Sequence, residues 1–80
     1  MEAYRGYYID GFYFHSREEI DEFLRQRAIK RMQMLVGFFA RDGSMEASVM
    51  LADHETQMVR QHGFTPQEVE DLEIEMLKEA

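Results

Sequence analysis

The chain has 80 residues, no cysteine, and sixteen acidic against nine basic side chains, for a net charge of −7. A single domain of this length, residues 1–80, buries only about 60–65% of the surface its unfolded form exposes, so hydrophobic packing must hold the fold without a disulfide staple. The absence of thiols argues against a secreted mini-protein and excludes thiolate metal sites, and the acidic balance opposes the counterion release that drives nucleic-acid binding.

The opening MEAYRGYY has no basic region followed by an apolar one, and no stretch approaches the roughly 20 apolar residues that cross a bilayer. A cytoplasmic location is therefore the expectation. Charge is unevenly placed: residues 1–41 carry seven Lys/Arg and six Asp/Glu, residues 42–80 two and ten, which assigns any acidic face to the second half.

The aromatic run from Tyr4 to His15 is broken by Asp10-Gly11, a dipeptide that accepts the positive φ angles of a type I′ turn. It predicts a two-stranded antiparallel hairpin over residues 3–15. With a two-residue loop, Ile9 faces Phe12, Tyr8 faces Tyr13 and Tyr7 faces Phe14. Alternation then puts Tyr7, Ile9, Phe12 and Phe14 on one side and Tyr8, Tyr13 and His15 on the other.

Ser16 with Glu19 three residues on forms a capping box, and the acidic Glu18, Glu19, Asp21 and Glu22 suit the positive end of a helix dipole. Ile20, Phe23, Leu24, Ala28, Met32, Leu35 and Phe39 recur at helical spacing until Arg41-Asp42-Gly43, predicting a first helix over 17–41. Ser44 caps a second, 45–62. It carries Met45, Val49, Ala52 and Val59 on one apolar flank and Ala47, Leu51 and Met58 on the next. Thr65-Pro66-Gln67-Glu68 supplies an N-cap, a proline at the first helical position and a capping-box Glu, predicting a third helix over 66–79. The expected fold is α+β and mostly helical, ββααα, with the hairpin packed on the three helices.

Two features of the first helix stand out. Gly37, inside Met34-Leu35-Val36-Gly37-Phe38-Phe39, costs roughly 1 kcal/mol relative to Ala, which suggests a close helix–helix approach or a bend. Residues 32–40 are apolar around about two-thirds of the circumference, too broad for one-sided packing. Either the hairpin and both other helices wrap this segment, or part of it stays open for a partner. The flank formed by Phe23, Arg27, Arg31, Met34 and Phe38 mixes aromatic, Arg and Met side chains as protein interfaces do. Tyr8 and Tyr13, paired across the outer hairpin face, form a second candidate surface. The carboxylates Glu68, Asp71 and Glu75 of the third helix form an acidic third one, read first as a solvated face and second as a docking surface for a basic partner.

Catalytic signatures are weak. His54-Glu55-Thr56-Gln57-Met58 approaches the zinc-protease motif HExxH but has Met where the second imidazole must stand, and a thioether is a poor zinc ligand. His54, Met58 and His62 share a helix face, yet without Cys they do not make a metal site. Carboxylate pairs need a dry pocket to separate their pKa values, and short loops leave little room for one. No Gly-rich phosphate loop or GxSxG elbow is present.

The sequence thus points to a non-enzymatic protein-interaction module without cofactor or metal, a regulator or inhibitor that binds another protein. Its size and acidity also suit an anti-defence inhibitor of a phage or mobile element. The alternatives are a self-assembling homo-oligomer of structural role, built on the apolar end of the first helix, and a nucleic-acid-binding accessory protein using Arg25, Arg27, Lys30 and Arg31 beside the tyrosines.

Overall fold

The computed structural model describes residues 6–79, in which Asp10 and Gly11 have φ angles of 52° and 85°, the signs a type I′ turn requires. They join β1 (Tyr7–Ile9) to β2 (Phe12–Phe14) in the register Tyr7↔Phe14, Tyr8↔Tyr13, Ile9↔Phe12, as the two-residue loop dictates. The strands are three residues each, shorter than the expected hairpin over 3–15: Gly6 and His15 lie outside the ladder, and residues 3–5 lie outside the described residues. Gly6 has a packing role that composition did not reveal. The Tyr13 ring lies over it, and a methyl group there would overlap that ring.

Ser16 caps α1 (Arg17–Asp42), its Oγ accepting from the Glu19 amide at 3.2 Å. The Glu19 carboxylate accepts from His15 N at 2.7 Å, one residue upstream of the usual capping-box partner. At 26 residues α1 is about 39 Å long, and it ends at Gly43, whose φ of 65° lets its amide reach the Phe39 carbonyl at 2.8 Å. Ser44 then caps α2 (Met45–Gln61) by accepting from Ala47 N at 3.1 Å, and His62 is the C-cap rather than the last helical residue. Thr65 and Glu68 exchange two hydrogen bonds, Glu68 N to Thr65 Oγ1 at 3.1 Å and Thr65 N to Glu68 Oε1 at 2.8 Å, a complete capping box at the start of α3 (Pro66–Glu79).

α2 runs back along α1, and α3 runs forward again. Arg25 of α1 fixes the near end of both: its guanidinium donates to the His62 carbonyl at 3.0 Å and lies 4.0 Å from the centre of the Phe64 ring. At the far end Met76 of α3 shares a recess with Gln33, Val36 and Gly37 of α1. The core joins Ala28, Met32, Leu35 and Val36 to Leu51 and Met58, with Phe64 and Val69 closing it; Met32 and Met58 have no solvent exposure. His54 is buried among them, its Nε2 2.8 Å from the Ala28 carbonyl. The molecule measures 55 × 24 × 20 Å. The α+β, mostly helical order ββααα is therefore present.

Of the two apolar flanks of α2, the Ala47, Leu51 and Met58 side is buried together with His54, while on the other Met45 and Val49 are 79% and 50% exposed and Val59 is half-buried against the core. Two expectations need correction. The hairpin does not wrap residues 32–40: it packs near the start of α1, and that segment is covered by α2 and α3 with Met34 left 60% exposed. Gly37 makes no close backbone approach. A Cβ there would meet only the Arg41 guanidinium at 3.6 Å, an ordinary contact. Gly37→Ala should therefore raise stability by about 0.5–1 kcal/mol, read as a higher urea midpoint; a lower midpoint would show that the helix surface there has no room for a methyl group.

Candidate functional site

The interface-like flank of α1 is split by the hairpin. The Phe23 ring, half-buried, lies 5.4 Å from Phe12 and 5.0 Å from Phe14, both on the hairpin side that alternation turns toward α1. Arg27 lies 5.4 Å over the Phe23 ring and pairs with the Asp10 carboxylate in the hairpin turn. Phe23 and Arg27 therefore anchor the hairpin, with the Arg27 side chain still 52% exposed. The rest of the flank, exposed Arg31 and Met34 with half-buried Phe38, remains open.

What the hairpin covers on α1 it offers again on its own surface. Tyr8 is 77% exposed and Phe12 57%, with Tyr7 and Tyr13 also exposed. Tyr8 and Tyr13 stack at 4.9 Å, and the Tyr13 ring meets His15 edge-on at 5.0 Å, so the outer face is an ordered row of three rings. Among the described residues no helix covers this row. Such rings supply large contact area with few torsions to freeze, and a two-stranded sheet by itself is marginal in water. The aromatic signal was legible in the sequence; which rings would stay uncovered was not.

The acidic residues of α3 have local duties. Glu68 completes the cap on Thr65 and stands 3.9 Å from Arg25, and Asp71 accepts from Gln67 Nε2 at 2.9 Å. With exposed Glu75 they border a cleft of about 390 Å³ over Ile29, Phe64 and Leu72, where Arg25 offsets part of their charge. The basic residues of α1 are likewise divided. Arg25 and Arg27 are engaged within the fold, leaving Lys30 and Arg31 exposed.

The near-motif on α2 is accounted for by packing. His54 is held on the α1 backbone, Met58 is a core side chain and His62 caps the helix. Among the described residues no group of three or more His, Asp or Glu side chains is placed to hold a metal ion.

One grouping escaped the sequence reading. Between α2 and α3 lies an open groove of about 480 Å³ with an apolar wall of Ala52, Val59, Pro66 and Val69, into which Glu55, Arg60, Glu70 and Glu73 also project. Burial, then hydrogen bonding to Glu73 and the negative charge of Glu73, push the Glu55 carboxyl up to about 8 from an ordinary 4.5. A short-looped chain was expected to leave little room for a dry carboxylate pocket; the groove, where α3 closes on α2 incompletely, is open yet buries part of Glu55. Spacing within one helix carries no signal for a pair that forms between two helices.

Comparison with protein-family models, curated proteins and solved structures finds no match to this chain.

The hairpin's attachment is checked by Phe23→Ala. Helical circular dichroism should remain, while the cross-strand amides of residues 7–14 lose hydrogen-exchange protection roughly fivefold or more, because about 1–3 kcal/mol of aromatic packing is removed beneath them. Unchanged protection would mean that the hairpin holds without its seat on α1.

Proposed function

We propose that this chain is a non-enzymatic protein-interaction module, a small regulator or inhibitor that binds another protein through the aromatic hairpin. The supporting observation is the exposure of Tyr7, Tyr8, Phe12 and Tyr13 on a six-residue sheet. Buried in a partner, these rings would serve as the anchors that dominate interface energetics. They are also set in place before binding: the type I′ turn, the Asp10–Arg27 pair and the Phe14–Phe23 contact fix the hairpin on α1, which lowers the ordering cost of association.

Self-association is the second reading, favoured by the exposed Met34, Met45 and Val49 around the other end of α1. The two readings use different surfaces and separate by mutation. Affinity capture from native cells, washed at high salt, should retain a stoichiometric foreign protein. Tyr8→Ser should weaken that retention roughly 30-fold or more, the loss of at least about 2 kcal/mol typical of an interface anchor. Asp71→Asn with Glu75→Gln should leave it unchanged. Recovery of the bait alone, as a defined oligomer by light scattering, disrupted by Met34→Ser and Val49→Ser, would replace the leading reading with the second.

A further inference from the structure

Among the described residues, Oε2 of Glu55 is the single buried side-chain oxygen or nitrogen without a hydrogen-bond partner. It belongs to the groove between α2 and α3, where Glu73 approaches from the facing helix. Two ionised carboxylates are acceptors only and repel, so such a pair is held together when one member carries a proton and donates it to the other. The other charged groups in the groove are Arg60, from α2, and Glu70, from α3; α1 contributes none to it. Ion pairs among the described residues are Arg25–Glu68 and Arg27–Asp10, so Arg60 does not neutralise Glu55.

The rest of α3 is seated elsewhere. Leu72 and Met76 pack against the core, and Phe64, just before the helix, lies under Arg25. The α2–α3 seam is the less extensive of the two that hold α3, and the groove along it is already open to solvent.

We propose that Glu55 and Glu73 form a proton-operated latch: with one proton shared between them α3 lies closed on α2, and with both ionised the seam opens while α3 keeps its seat on α1. Opening enlarges the groove and uncovers Val59 and Val69, so protonation sets how much apolar surface this side of the molecule presents.

The direction follows from linkage. In the closed state Glu55 holds its proton up to about pH 8, whereas once the seam opens it returns to an ordinary value near 4.5. The closed state binds the extra proton between these limits, so the latch is fully engaged below about pH 4.5, weakens as pH rises to about 8, and changes no further above it. The group is partly exposed, so solvent screening makes a tenfold change in the opening equilibrium per pH unit an upper bound.

Two measurements test the latch. Carboxyl-carbon NMR of the unmutated chain should place the Glu55 midpoint well above the ordinary carboxylate value of 4.5. Hydrogen exchange, corrected for intrinsic rate, should show α3 amides on the α2 side losing protection by up to tenfold per pH unit across that window, while α1 amides at Met32 and Leu35 stay constant. Glu55→Gln keeps a neutral side chain of the same size and should abolish the α3 slope; Glu73→Gln should lower the Glu55 midpoint. A Glu55 midpoint in the ordinary carboxylate range, or an α3 slope that persists in Glu55→Gln, would overturn the proposal.

Discussion

α2, α3 and β2 all rest on α1, and β1 is held through β2. The stripe of Ala28, Met32, Leu35 and Val36 is the surface on which α2 and α3 meet, and β2 leans on the same helix one turn or two earlier at Phe23. A chain with no disulfide and only 80 residues cannot distribute its stability among several small cores. It concentrates apolar contact on one long helix instead. The flexible side chains of Met32 and Met58, both fully enclosed, fill the irregular space where three helices of different length converge. Arg25 adds the polar counterpart: a single guanidinium satisfies the carbonyl at the end of α2 and covers Phe64 at the approach to α3, tying one end of the three helices together.

Local signals were the most legible. The Asp10-Gly11 turn, the caps at Ser16, Ser44 and Thr65 and the stop at Gly43 each depend on a few adjacent residues, and each forms as short-range chemistry requires. Pairing across the hairpin was legible for the same reason, since a two-residue loop leaves one register. What the sequence could not convey was how the elements share their apolar surface. Phe23 and Arg27 looked like an interface and became the hairpin's seat; of the two apolar flanks of α2, the one with Met45 and Val49 stayed largely outside. Helical periodicity identifies an apolar face without saying which neighbour reaches it. Gly37 misled in another way, because its cost in a helix invites a packing explanation that the space around it does not support.

The two polar devices of the fold work on different principles. Arg27 and Asp10 are opposite charges on exposed side chains, a pairing that contributes little by itself and acts mainly by orienting the hairpin over Phe23. Glu55 and Glu73 line one groove from facing helices, and burial with Glu73 beside it raises the Glu55 carboxyl well above its ordinary range. The first lies at the hairpin turn and the second in the seam of α2 and α3, so the aromatic surface and the groove are governed by separate contacts. No helix among the described residues is long and apolar enough to cross a membrane.

The extended outline has a hydrodynamic consequence. A compact chain of this length has a radius of gyration of about 12 Å, whereas this one, with its hairpin set at one end of a long helix, has 15.4 Å. Such a particle diffuses more slowly and leaves a sizing column earlier than a sphere of its 9.6 kDa mass. An early elution volume is therefore a property of the single chain and is no sign of a dimer.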